Sequence, residues 1–169
     1  MNTKTMQGIV IGTAMAGGYF GGGIYINNEP RGIIVSPKLE GEFANMRWHK
    51  NLNGIEGALS YSDGLANTIA MAEAGSPLAE KMLKLRIGGF DDWHLMARTQ
   101  ALIIQGELCV LPEFKPGTEN GFERDYYWTS TRHAEGSDYA WYQNFGNGGQ
   151  NDDRHGSQLF ARAVRTIAL

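Results

Sequence analysis

The chain of 169 residues has one cysteine and no excess of positive charge. Cys109 has no partner for an intramolecular disulfide, and its apolar neighbours predict a buried, unreactive thiol. Acidic side chains outnumber basic ones by 18 to 15, which gives a net charge of −3. Such a chain has no basic field that would collect phosphate groups, so we expect no nucleic-acid partner.

Long apolar runs are also missing. The uncharged stretch 8–26 contains seven glycines, and each would weaken a helix by roughly 1 kcal/mol. We therefore expect a glycine-rich strand here and no insertion into a membrane. Ala14-Met15-Ala16 resembles a signal-peptidase site, so a secreted bacterial adhesin cleaved after Ala16 stays open as an alternative.

Motifs that carry catalysis or bind metals are scarce. The sequence has no Gly-x-Ser-x-Gly elbow and no carboxylate pair placed by a recognisable motif, so we expect no enzyme. Its four histidines lack partners at zinc spacing. Asp91-Asp92 and Asp152-Asp153 offer the oxygen ligands that calcium prefers, but without the order of an EF-hand loop. We expect no cofactor, with calcium as the alternative.

Glycine is abundant, at 23 of 169 residues, roughly twice the usual ~7%. This excess predicts many tight turns in a single α+β domain over residues 17–169, preceded by an N-terminal segment, residues 1–16. Periodicity predicts a hairpin of strands 19–26 and 31–36, then helices, then C-terminal strands 126–131, 138–145 and 159–167, the last of which is free to pair beside the first. The predicted helix caps are Ser62, Ser76 and Thr99.

Charged and aromatic residues of the C-terminal strands give two further expectations. Arg162 and Arg165 point to opposite faces of one strand, so one is expected to pair with Asp91 or Asp92 while the other faces solvent. Aromatic residues in alternating strands usually belong to a core, and we favour that interpretation over a sugar-stacking platform for Tyr139, Trp128 and Trp141.

Three C-terminal segments have a distinctive order and spacing: Tyr127-Trp128-Thr129-Ser130-Thr131, the run from Tyr139 to Gly148, and Arg162-Ala163-Val164-Arg165. They resemble the C-type-lectin-like domain found at the C-terminus of Lcl-type adhesins and in many phage proteins, including variable proteins diversified by retroelements. The upstream segment Gly89-Phe90-Asp91-Asp92-Trp93-His94-Leu95 is similar to another motif of that family, although Met96 stands where proline is usual. The resemblance extends from about Gly17 to the C-terminus.

This resemblance implies a C-type-lectin-like fold, with the N- and C-terminal strands adjacent. It also implies a non-enzymatic binding module of a phage or prophage virion, at a tail tip or fibre, that recognises a glycan or protein receptor on the host surface. The enzymatic branch of the scaffold activates sulfatases with cysteine or copper-type chemistry, from which a chain with one cysteine departs. A structural virion protein, for capsid decoration or tail assembly, is the alternative, and other virion chains and a homo-oligomer are the expected partners.

The polar connection after residue 146 is the candidate recognition site, because loops displayed on a rigid sheet can vary without disturbing the core. In the resembling variable proteins the same stretch carries the diversified ligand contacts. A solvated turn that binds nothing is the alternative. The candidate ligand-binding residues are Asn147, Gln150, Asn151, Asp152, Asp153, Arg154, His155 and Ser157, with Arg132, His133 and Tyr142 beside them.

Overall fold

The structure is a computed structural model that describes residues 8–50, 55–135 and 138–169. In these residues nine strands and four α-helices confirm the predicted α+β class. The strands are β1 (Ala14–Met15), β2 (Gly18–Ile26), β3 (Glu29–Val35), β4 (Glu42–Arg47), β5 (His94–Leu95), β6 (Tyr126–Arg132), β7 (Tyr139–Asn144), β8 (Gln150–Arg154) and β9 (Gln158–Ala168). The helices are α1 (Lys38–Gly41), α2 (Gly64–Glu73), α3 (Pro77–Leu83) and α4 (Arg98–Glu107).

The strands form one sheet in the order β1-β2-β3-β9-β6-β7-β8, and β4 and β5 also pair with β9. The predicted hairpin is present as β2 and β3. However, the last strand pairs with β3 and not with the first strand of the hairpin. The reason is that β3 carries the apolar run 33–35, which is fully buried at the centre of the sheet, while the outer edge of β2 is paired with β1.

Apolar clusters cover both faces of the sheet. Ile34 belongs to one cluster, with Met71 of α2 and Leu78 of α3. Its neighbour Ile33 belongs to the other cluster, with Ile104 of α4. Since successive side chains of a strand point to opposite faces, the helices enclose the central strands from both sides.

The helix starts follow the predictions in part. Ser76 caps α3 as predicted, because its hydroxyl accepts from the Ala79 N–H. The other two predicted caps are wrong. Asp63 caps α2 in place of Ser62, because the helix begins at Gly64 and the Asp63 carboxylate accepts from the Ala66 N–H. Helix α4 begins before Thr99, and the Gln100 side chain accepts from the Ala97 N–H at 2.7 Å.

The expectation for the two arginines of β9 is half right. Arg165 pairs with Asp92, with 3.0 Å between Nη2 and Oδ2. Arg162, however, does not face solvent: it is fully buried and pairs with Glu42. Both faces of β9 are covered, so the two arginines are buried even though they point to opposite faces. Each buried guanidinium needs its own carboxylate.

The N-terminal residues that the structure describes pack on the sheet. Ile9 and Ile11 contact the core, and the Ala16 carbonyl accepts from Arg165 at 3.1 Å. Part of the predicted segment, residues 1–7, lies outside the described residues, and the boundary at residue 17 stays a prediction. Among the described residues, no helix has the length and hydropathy required to span a bilayer.

Cys109 follows α4 and is half-buried, whereas its neighbours predicted a buried thiol. Its surroundings are nevertheless apolar enough that burial raises the pKa of the thiol to about 12. A thiol with so high a pKa is almost entirely protonated at neutral pH, so Cys109 is a poor nucleophile.

Candidate functional site

Strands β7 and β8 form a hairpin at the edge of the sheet. The sequence predicted a polar connection after residue 146, whereas residues 150–154 of this stretch form strand β8. Polar residues suit an edge strand that is paired on one side only and faces water on the other. Trp141 lies opposite Asp152, and Tyr142 lies opposite Asn151, so the polar side chains of β8 divide between the two faces of the hairpin.

One face of the hairpin centres on Trp141, which is half-buried. We call the set Arg98, His133, Trp141, Gln150 and Asp152 the Trp141 face. The Arg98 guanidinium lies 3.6 Å from the Trp141 ring centroid, and the His133 ring stacks on the same indole with 5.1 Å between centroids. His133 Nε2 lies 3.4 Å from Asp152 Oδ2.

A network of amides fixes Arg98 on this face. Gln150 Oε1 accepts from Arg98 Nε at 2.9 Å, and Gln150 Nε2 donates to the Arg98 carbonyl at 2.8 Å. The same Nε2 donates to Gln143 Oε1 at 2.9 Å, and Gln143 is fully buried. Because buried amides are held by their hydrogen bonds, this relay orients the guanidinium from inside the sheet.

The start of α4 and the preceding segment of chain complete the face. The Arg98 N–H donates to Thr131 Oγ1 at 3.0 Å, which joins α4 to β6. The Thr99 N–H donates to the Tyr61 carbonyl at 2.8 Å. The Tyr61 ring is 53% exposed and its centroid lies 5.0 Å from the Arg98 guanidinium, so an exposed aromatic ring borders the face.

The opposite face of the hairpin carries Tyr142, Asn151 and Asp153. Tyr142 is half-buried and its ring lies 4.8 Å from that of Tyr126. Partial burial, with Tyr126 and the two aspartates of β8, raises the pKa of Tyr142. These predicted site residues therefore cannot share one ligand surface with Asp152.

His155 is placed differently from the prediction of an exposed ligand contact. Its side chain is fully buried and stacks on Trp48 with 4.2 Å between ring centroids. The backbone of His155 joins the end of β8 to its surroundings, with its N–H donating to the Asp138 carbonyl and its carbonyl accepting from the His49 N–H. A planar ring that fills space against an indole belongs to the core, so His155 is removed from the candidate surface.

The other predicted residues lie around the hairpin. Asn147 is exposed in the turn and accepts from the Gly149 N–H. Arg154 is exposed and donates from Nε to the Tyr139 hydroxyl at 3.1 Å. Ser157 is half-buried, and its N–H donates to the Arg154 carbonyl. Half-buried Arg132 donates to the Gly57 carbonyl at 3.3 Å.

Sequence reasoning missed Arg98, Trp141 and Tyr61 as residues of this surface. Arg98 was overlooked because its partners Trp141 and Gln150 are distant in the chain, Gln150 by 52 positions. Trp141 and Tyr139 were assigned to the core with Trp128, but only Trp128 is fully buried. Tyr61 belongs to a polar, glycine-broken segment, and its single aromatic ring was the available signal.

The aspartates considered as calcium ligands lie in two separate parts of the fold. Across residues 8–50, 55–135 and 138–169, no group of three or more His, Cys, Asp or Glu side chains could hold a metal ion. Asp152 interacts with His133, and Asp92 with Arg165. Two of the four aspartates considered for calcium therefore contact other side chains of the protein.

A separate apolar hollow of about 340 Å³ lies between the N-terminal residues and α4. Gly22 and Ile103 both line it and pack closely, because a Cβ at Gly22 would lie 2.6 Å from Ile103 Cγ2. Glu107 is the charged residue that lines this hollow. The other residues of the lining include Ile9, Ile11, Phe20 and Leu169.

Comparison with known families gives one result. A family model described as the Lcl C-terminal domain matches residues 42–165. The match runs from the start of β4 to residue 165 within β9, and so includes the whole hairpin and the Trp141 face. A comparison with curated proteins gives no match.

Proposed function

This chain belongs to the Lcl C-terminal domain family, and from that premise we propose that it is a non-enzymatic binding module of a phage or prophage virion. In this proposal the module belongs to a tail tip or fibre and recognises a receptor on the host surface. The observation that carries the proposal is the Trp141 face, in which an aromatic ring and a guanidinium are held at the sheet edge by amide hydrogen bonds that lead to the buried Gln143.

The chemistry of this surface supports binding more than catalysis. Trp141 and Tyr61 supply rigid contact area at low cost in conformational entropy, and Arg98 supplies directional donors. The recognition residues proposed are those of the Trp141 face with Tyr61, Asn147 and Arg154 at its margin. We propose no cofactor, and a calcium-dependent rise in melting temperature would contradict that part.

The proposed fold is C-type-lectin-like. Two features support it: the N-terminal hairpin and the last strand share one sheet, and β9 lies between β3 and β6. A crystal structure in which residues 42–165 follow a path foreign to the C-type-lectin-like fold would contradict this assignment.

Blocking of infection tests the function. Purified protein is expected to bind host bacteria and to reduce infection by the phage. Trp141→Ala removes the centre of the proposed surface, so blocking should fall at least about tenfold, the effect of losing roughly 1.4 kcal/mol of binding free energy.

Tyr142→Ala is the matched control, because Tyr142 is the next residue of β7, is also half-buried, and lies on the other face. It should block as the wild type does, and both variants should keep similar unfolding temperatures. Equal blocking by both variants would show that the Trp141 face does not bind the receptor.

The apolar hollow favours a second candidate function, that of a structural virion protein that binds only other virion chains. In that case Ile103→Asp, which places a charge at the hollow, should prevent incorporation into particles. Loss of incorporation together with absence of any adhesion by the wild-type protein would favour this alternative.

Multivalency is part of the proposed mode of binding. Linked copies raise avidity by ~10²–10⁴ without new contacts, which suits a module with a small recognition surface. We therefore propose a homo-oligomer in the virion. Light scattering coupled to size-exclusion chromatography would measure the number of copies, and a purely monomeric protein would contradict it.

A further inference from the structure

We infer that Arg98 is a carboxylate-binding residue, and that the Trp141 face takes an acidic side chain of a protein receptor. This inference rests on the proposed function and specifies the chemistry of its ligand. It depends on the charge state, orientation and surroundings of one guanidinium.

Arg98 has no carboxylate partner within 4 Å among the described residues. Its Nε–H is bound by Gln150, whereas no acceptor in the described chain contacts its two terminal amino groups. The segments outside the description contain no Asp or Glu. By contrast, Arg162 and Arg165 each contact a carboxylate. A half-buried guanidinium with both terminal groups unoccupied is a receptor for an external anion.

The structure holds this guanidinium in a single orientation before any ligand arrives. The Arg98 guanidinium carbon lies 3.6 Å from the Trp141 ring centroid, and Gln150 binds the Arg98 Nε and the Arg98 carbonyl. Gln143, fully buried, holds Gln150 in turn. A fixed fork loses little conformational entropy on binding, and its parallel donors match the two oxygens of a carboxylate.

The surroundings favour a protein ligand over a polyanionic glycan. Asp152 lies on the same face, and the net charge of the chain is −3, so a densely charged chain would be repelled. Apolar side chains border the arginine instead. Leu102 is one helical turn from Arg98 and 50% exposed, and Tyr61 is 53% exposed. An acidic side chain with an apolar neighbour fits both features.

Titrations followed by NMR test the inference directly. The probes are the acetylated and amidated forms of glutamate and glutamine, with glucuronate and inorganic sulfate as alternative anions. The Arg98 Nε–H and Trp141 indole N–H signals should shift saturably with the glutamate probe and not with its neutral glutamine twin. Equal shifts with both twins would overturn carboxylate recognition, and tighter binding of glucuronate or sulfate would overturn the protein ligand.

Variants separate the fork from the charge. Arg98→Gln should weaken binding of the glutamate probe roughly 10- to 100-fold, the range for a hydrogen bond to a charged group. Arg98→Lys keeps the positive charge but loses the paired guanidinium donors, so its affinity for the glutamate probe should lie between those of the wild type and Arg98→Gln. Arg86→Gln, an exposed arginine outside the site, is the control for net charge. Unchanged affinity in Arg98→Gln would overturn the inference.

Adhesion to host bacteria distinguishes failure of this inference from failure of the proposed function. If the wild type adheres to host bacteria and Arg98→Gln adheres equally well, the inference is overturned and the proposed function stands. Selective binding of the glutamate probe by a wild type that adheres to no host cell would support the carboxylate site and contradict receptor recognition.

Discussion

Arg162 and Glu42 form an ion pair inside the protein, with 3.0 Å between Nη1 and Oε2 and side-chain exposures of 0% and 6%. The remaining donors of Arg162 bind the carbonyls of Ser36 and Asn120. The Tyr127 hydroxyl donates to the same Glu42 oxygen. One buried carboxylate therefore joins β4, β6 and β9, and β6 in turn pairs with β7 of the candidate hairpin.

Removing that carboxylate should destabilise the fold strongly. Glu42→Gln leaves Arg162 charged and buried without its partner, which typically costs about 3–5 kcal/mol. Urea unfolding should show this loss in the free energy of unfolding. Glu29→Gln is the control, because Glu29 pairs with Arg31 at the surface and such pairs contribute about 0–1 kcal/mol. Equal effects of the two substitutions would contradict the structural role given to Glu42.

Acid should weaken the fold through His155. Burial above all, with the nearby His49 as a smaller cause, lowers the pKa of His155 to about 4 from the usual 6.5. Between these values the unfolded chain binds a proton that the native His155 does not. The stability that neutral, buried His155 contributes is therefore complete above pH 6.5 and is lost as the pH falls toward 4. The loss is at most about 3 kcal/mol, at 1.36 kcal/mol per pKa unit.

Urea unfolding at a series of pH values would measure this dependence. His155→Gln should flatten part of the slope in that window, and the rest should remain, because burial also lowers the pKa of His94. A slope identical to that of the wild type would show that His155 does not carry the effect.

The comparison of sequence and structure separates local signals from tertiary ones. Ser76 was recognised as a cap because capping depends on residues three positions apart. Strand β8 was predicted as a loop because an edge strand with polar residues on both faces has no apolar alternation. The burial of Arg162 could not be foreseen, since a single strand does not reveal that elements cover both faces of its sheet.

The candidate site was predictable to a similar extent. The turn and the polar stretch after it were located from the sequence, because glycine and polar residues mark turns locally. Their division between two faces followed only once β8 was known to be paired with β7. The contact between Arg98 and Trp141 joins a helix start to a strand, and no spacing rule connects the two.

A glycine in α4 offers a stabilising substitution. Gly106 lies in the last turn of the helix, its φ is not positive, and a Cβ there would meet nothing within 4 Å. Gly106→Ala should raise the free energy of unfolding by roughly 0.5–1 kcal/mol. Gly18→Ala is the opposite case, because its Cβ would lie 2.2 Å from the Val35 carbonyl oxygen, and it should destabilise. A lower unfolding temperature for Gly106→Ala than for the wild type would contradict this prediction.

The exposed edge of β8 is protected by its own side chains. The bonds from His155 N–H to the Asp138 carbonyl and from Asn144 N–H to the Gly149 carbonyl set the pairing of β7 with β8. In this register the N–H groups of residues 152 and 154 point away from β7. Asn151 Oδ1 accepts from the first at 2.9 Å, and Asp153 Oδ1 accepts from the second at 2.7 Å.

Removing both acceptors should make the edge pair with another copy of the chain. In the double variant Asn151→Ala and Asp153→Ala, two N–H donors of an edge strand lose their partners, and such donors are a template for strand addition. Sedimentation velocity should then show larger species that increase with concentration. Asn147→Ala, in the adjoining turn, removes an exposed amide without touching the edge, so it is the control. The same distribution of species in the double variant and the control would mean that geometry other than these two acceptors protects the edge.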